Sequence, residues 1–167
     1  MSPVVVLVGP PGSGKTTVGG LLAHRLGVDF RDTDSDIEAL AGKLISDIFV
    51  DDGEERFRKL ECDAVAAALR DHDGVLAVGG GAVLSDQTRC LLTSAQVVFL
   101  DVGLAQAASR VGLGTSRPLL LGNVRAQLKR LLDERRPLYR EVADSVVGTD
   151  GLDPTQVTEL VAARVSA

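Results

Sequence analysis

Aromatic residues make up only 3% of this 167-residue chain, and tryptophan is missing altogether. Stacking platforms for single-stranded nucleic acid are therefore poorly supplied. An excess of basic charge is lacking as well: the formal net charge is −5, the wrong sign for gripping a phosphate backbone. No apolar run approaches the ~20 residues that cross a bilayer as a helix. Met1-Ser2-Pro3 leads straight into an apolar run and leaves no room for a signal peptide, so a cytoplasmic location is expected. Cysteine is sparse. Cys62 and Cys90 lie far apart without C-x-x-C spacing, which reads as two reduced structural thiols. His24 and His72 belong to no metal-ligand pattern and read as surface or helix-end residues. Repeats, low-complexity tracts and charged tails are absent too. What remains, 45% hydrophobic and 25% charged residues, is the composition of an ordinary globular protein of one domain, 1–167.

Against these absences stands one dense motif. Gly9-Pro10-Pro11-Gly12-Ser13-Gly14-Lys15-Thr16 fits G-x-x-x-x-G-K-[ST]. Val4 to Val8 before it form a β-branched run suited to a buried parallel strand. Behind it Val18, Leu21, Leu22 and Leu26 recur at helical spacing until Gly27. Strand, glycine loop and helix together make a phosphate-binding loop. Its backbone N–H groups must approach phosphate oxygens closely, which Cβ atoms at Gly9, Gly12 and Gly14 would hinder. The helix N-terminus adds partial positive charge. Lys15 then reaches the β- and γ-phosphates of a nucleotide, and the Thr16 hydroxyl ligates Mg²⁺.

Strand and helix patterns alternate along the chain, which predicts an α/β fold: a parallel sheet between two helical layers. Further strands are expected at 28–31, 75–79, 96–101 and 144–148. Helices are expected at 34–40, 45–50, 54–70, 85–92, 104–111, 123–142 and 154–165, with Pro137 kinking or ending the penultimate one. The segment 112–123 holds Gly112, Gly114 and Gly122 with Arg117, the composition of a glycine-hinged lid or of a plain connecting loop.

Ligands gather at the carboxyl ends of parallel strands. There the chain places Asp32-Thr33-Asp34, whose two carboxylates suit a metal shell and an acceptor hydroxyl, or equally the cap of the next helix. Gly79-Gly80-Gly81 suits close approach of a ligand to backbone, or a tight turn. Arginines are the third group, but periodicity alone does not choose among Arg56, Arg58, Arg135 and Arg136.

Taken together these residues resemble the shikimate kinase family. The likeness spans nearly the whole chain: the phosphate loop, Asp32-Thr33-Asp34, Ile48-Phe49, Asp52-Gly53-Glu54, Phe57-Arg58, Glu61, Gly79-Gly80-Gly81-Ala82-Val83, Arg117-Pro118-Leu119 and Arg135-Arg136-Pro137-Leu138-Tyr139. The resemblance implies a P-loop NTPase fold like that of nucleoside monophosphate kinases, with a five-stranded parallel sheet in an α/β/α sandwich. It implies a monomer transferring the γ-phosphoryl group of ATP to the 3-hydroxyl of shikimate, with shikimate held by the segment 34–61. Carried over by position, Asp34 would deprotonate that hydroxyl, and Asp32 would support Mg²⁺ beside Thr16. Arg58, Arg136 and the backbone of Gly79, Gly80 and Gly81 would hold shikimate, with Glu61 orienting Arg58. Gly12, Ser13, Gly14, Lys15, Thr16 and Thr17 would surround the nucleotide. Arg110 and Pro154 would flank its base, and Arg117 would close onto its phosphates. The chain departs from the family at Gly151-Leu152-Asp153, where relatives often carry a basic residue. A gluconate or nucleoside monophosphate kinase explains the phosphate loop but not the arginine and triple-glycine set. A binding module without activity leaves Lys15, Thr16, Asp32, Asp34 and Arg117 unexplained.

Overall fold

The computed structural model describes residues 2–112 and 121–165. Five strands, β1 (Val5–Val8), β2 (Phe30–Asp32), β3 (Val75–Ala77), β4 (Val97–Asp101) and β5 (Ser145–Gly148), form one sheet in the order β2-β3-β1-β4-β5. Every pairing is parallel, with Val6 facing Leu76 on one side and Val97 on the other. Among the described residues, eight α-helices lie between and after the strands: α1 (Lys15–Leu26), α2 (Thr33–Ala41), α3 (Ile45–Asp52), α4 (Glu54–Asp71), α5 (Asp86–Leu92), α6 (Leu104–Gly112), α7 (Leu121–Val142) and α8 (Pro154–Val165). A 3₁₀ turn at Ala82–Leu84, not anticipated from the sequence, sits between the triple glycine and α5.

β1 is buried on both faces, which is why it reads as an unbroken apolar run. Val5 and Leu7 pack with Leu22 of α1 and Val161 of α8, while Val6 and Val8 pack with Val65 of α4 and Tyr139 of α7. Burial on both sides fixes the sheet as the middle layer. The glycine loop consequently emerges at its carboxyl edge, between the neighbouring ends of β3 and β4.

The two glycines inside α1 have different reasons. A Cβ at Gly19 would come within 2.9 Å of Phe30 Cδ1, so this glycine lets α1 lie directly against β2. At Gly20 a Cβ would meet nothing within 4 Å. Gly20→Ala should therefore raise stability by about 1 kcal/mol through helix propensity alone. Gly19→Ala should lower it by about 1–3 kcal/mol through overpacking. Thermal unfolding of the two variants checks the contrast, and equal shifts would refute it.

Pro137 does not end the helix: α7 continues through it to Val142. The missing N–H leaves the Asp133 carbonyl without its helical partner. Tertiary contacts on either side hold the helix together. Leu128, Leu132, Tyr139 and Val142 form its buried stripe, and the Tyr139 and Phe99 rings stack with centroids 5.0 Å apart.

Candidate active site

Gly12 and Gly14 take positive φ values of 82° and 91°, conformations open to glycine, and Gly14 caps α1. The loop closes over the side chain of Lys15, whose Nζ donates to the carbonyls of Gly9 (2.7 Å) and Pro10 (3.2 Å). Burial pushes the Lys15 ammonium down to about 8, against the pull of Asp34 and Asp32. The Thr16 hydroxyl donates to Asp32 Oδ2 at 3.0 Å. Asp32 Oδ1 meanwhile accepts from the Asp34 N–H at 2.9 Å and caps α2. The capping reading of Asp32 is thus met by one carboxylate oxygen, and the other oxygen holds Thr16.

Thr33, between the two aspartates, is fully buried and accepts a hydrogen bond from the Gly79 N–H at 3.3 Å. This bond ties the end of β2 to the triple glycine and commits the Gly79 N–H to protein instead of ligand. The close approach there is of side chains. A Cβ at Gly79 would lie 2.6 Å from Asp34 Oδ1 and 2.8 Å from Glu61 Oε2, and one at Gly81 would lie 2.7 Å from Arg58 Cζ. Gly81→Ala should displace the guanidinium while sparing the backbone, since the obstructing atoms end a flexible side chain. We expect about a tenfold rise in KM for the anionic acceptor with little change in Tm. An unchanged KM in steady-state kinetics would show that Arg58 does not serve that ligand.

Arg58 Nη1 donates to Glu61 Oε1 at 2.8 Å, one turn along α4, and its guanidinium lies over the rings of Phe57 and Phe49. Arg58 Nε is buried without a hydrogen-bond acceptor, a donor left over for a ligand. Burial pushes the Glu61 carboxyl upward, against Arg58 and Arg135, which favour its charge. Asp34 is pushed up to about 6, first by burial and then by the carboxylates of Asp32 and Glu61, while Lys15 pulls it back. A half-buried carboxylate poised near neutrality, beside a phosphate loop, has the properties of a general base.

The arginine at the end of α7 requires a correction. Arg136 turns away from this cluster: its Nε donates to Asp101 Oδ1 (3.1 Å) and its Nη2 to the Val102 carbonyl (3.0 Å). The side chain that faces the cluster is Arg135, whose charge acts on Lys15, Glu61 and Tyr139. The Tyr139 hydroxyl itself donates to the Gly80 carbonyl at 2.5 Å. Burial raises Tyr139 to about 12, so its hydroxyl stays a donor. A signal for Arg135 existed in the sequence. It completes the stripe Leu128, Leu132, Tyr139 and Val142 at helical spacing, whereas Arg136 lies one step off it.

Two cavities of about 300 Å³ each flank the phosphate loop. One is lined by Pro11, Gly12, Lys15, Thr16, Asp32, Asp34 and Val78. The other brings Ser13, Gly14, Thr17, Arg110 and Pro154 together with Leu152 and with Thr149 and Val157, the last two unforeseen from the sequence. Arg110 is anchored there by its Nη1 bond to the Gly12 carbonyl at 2.6 Å. Leu152 and Pro154 give this cavity an apolar wall. Arg117 and the core of the expected lid lie outside the described residues. Among the described residues, no cluster of three or more His, Cys, Asp or Glu could hold a metal ion, and no helix is long and apolar enough to cross a membrane.

The shikimate kinase family model matches residues 11–166. The chain is 61% identical to the shikimate kinase of Salinispora arenicola over 100% of both proteins. It is 60% identical to that of Saccharopolyspora erythraea, over 100% of this chain and 96% of that one. Among solved structures, the shikimate kinase of Acinetobacter baumannii in complex with shikimate superposes with a TM-score of 0.91 at 35% identity, covering 99% of this chain and 93% of that one. With its five-stranded parallel sheet, phosphate loop and paired aspartates, the chain belongs to the shikimate kinase family.

Proposed function

We infer that this protein transfers the γ-phosphoryl group of ATP to the 3-hydroxyl of shikimate, yielding shikimate 3-phosphate and ADP on the route to chorismate and the aromatic amino acids. The observation that carries the reading is the convergence of Asp34, Arg58, Glu61 and Arg135 beside the Lys15 loop. In the transfer, the 3-hydroxyl oxygen bonds to the γ-phosphorus as the bond to the ADP oxygen breaks, and Asp34 takes the hydroxyl proton. Lys15 and the loop N–H groups stabilise charge on the transferring phosphoryl. Arg58 and Arg135, with Tyr139 and Glu61 fixing them, grip the shikimate carboxylate, for which planar guanidinium forks supply direction as well as charge. The backbone around Gly80 forms the floor of that subsite.

Thr16 and Asp32 present hard oxygen donors 3.0 Å apart next to the loop, and these fit Mg²⁺. That ion, when bound, would neutralise phosphate charge. The cavity with Arg110 and Pro154 takes the adenosine, and the 112–123 segment carrying Arg117 serves as the lid that excludes water. The whole chain acts as one catalytic domain, a cytoplasmic monomer, and its acidic balance disfavours nucleic acid as a partner.

The test is ADP release from MgATP in a coupled assay with shikimate, gluconate and AMP offered separately. Turnover with shikimate alone is the expected result. Activity with another acceptor, or with none of the three, would overturn the assignment.

A further inference from the structure

We propose that Arg136 and Asp101 are positioning residues for the acceptor site, acting through Arg135 and not through contact with substrate. The proposal rests on the reading of Arg135 as a carboxylate-binding residue. One residue turns an α-helix by about 100°, so Arg135 and Arg136 cannot face the same side. Arg135 shares a face with Tyr139 four positions on, and its charge acts on the Tyr139 hydroxyl. Arg136 points toward the end of β4, where it holds Asp101 Oδ1 and the Val102 carbonyl together.

That anchor is rigid. β4 pairs with both β1 and β5, and the Asp101 carbonyl accepts from both the N–H and the Oγ1 of Thr149, each at 2.9 Å. Val102 packs with Leu128 and Leu132 of α7 itself. The residue after Arg136 is Pro137, where the helix lacks one backbone hydrogen bond. Two tertiary ties straddle this weak point: Arg136 to the end of β4 before it, and Tyr139 to Gly80 after it. Together they set the rotation of the turn that carries Arg135. Without the first tie, the Arg135 guanidinium loses its fixed aim on the acceptor's carboxylate, although every group that touches ATP keeps its place.

The experiment is steady-state kinetics on Arg136→Ala, on the near-isosteric Asp101→Asn, and on each of them combined with Arg135→Ala. Each single variant should raise KM for shikimate about tenfold while kcat and KM for ATP change less than about twofold, a displacement effect rather than loss of a contact. In the Arg135→Ala background the same changes should add less than about twofold, because the residue they act through is gone. A full tenfold addition in that background would mean that Arg136 meets substrate itself and would overturn the proposal. Unchanged KM for shikimate in Asp101→Asn, with Tm within a few degrees of the parent, would overturn it as well while leaving the function intact. Absence of shikimate turnover in the parent protein would instead sink the functional reading and this proposal together. If Arg136→Ala fails to fold, Asp101→Asn alone carries the same comparison.

Discussion

Asp34→Asn is expected to lower kcat with shikimate by about 10³-fold while leaving ATP affinity close to that of the parent. The amide keeps the shape of the side chain but cannot accept the hydroxyl proton. Because Asp34 sits at about 6, kcat/KM of the parent should fall about tenfold per pH unit below pH 6, as the base becomes protonated. The residual activity of the variant should lack that limb. The same substitution should stabilise the fold. A carboxyl whose pKa rises on folding binds more protons in the native state between pH 4 and 6, so its contribution to stability falls as pH rises through that window. Above pH 6 the ionised group carries the full burial penalty, and removing it should add about 2 kcal/mol, or roughly 4–8 °C in Tm. Activity lost with stability gained is the signature of a functional charge held in an unfavourable place. Full turnover by Asp34→Asn would refute the base assignment.

Arg135→Ala should reduce kcat/KM for shikimate by about 2–4 kcal/mol, on the order of 30- to 1000-fold, with KM for ATP nearly unchanged. The loss has two sources. One guanidinium fork on the substrate carboxylate disappears, and Glu61 and Tyr139 lose the neighbouring charge that acts on both. Without Arg135 the Glu61 carboxyl would be pushed further upward. Arg135→Lys should recover only part of the activity, since an ammonium offers no planar fork. Kinetics of the three proteins decide the matter. A silent Arg135→Ala beside a severely impaired Arg136→Ala would return the carboxylate to Arg136.

Features carried by neighbours along the chain are legible in the residues themselves. The strand before Gly9, the loop and the helix after it are consecutive, and each signals itself by local residue type. The helix over residues 54–70 and the succession of five strands along the chain follow for the same reason. Features that depend on what lies across space are not legible in this way. Pro137 predicts a disturbed helix, but contacts of Tyr139 with Gly80 and Phe99 outweigh one missing hydrogen bond. The triple glycine is legible as unusual. Its cause, the side chains of Asp34, Glu61 and Arg58 crowding its backbone, belongs to segments far apart in the chain.

From its residues alone this chain specified a parallel α/β fold, a phosphate-loop motif at Gly9–Thr16 and an acidic pair at the end of the second strand, because those properties reside in short-range periodicity and backbone chemistry. The tertiary structure decided which arginine lies beside Glu61, that Asp32 serves both its helix and Thr16, and that Thr33 locks β2 to Gly79. A shift of one residue changes the face of a helix by about 100°. Which face looks into the cleft is set by packing against β4 and Gly80, not by the two adjacent arginines themselves.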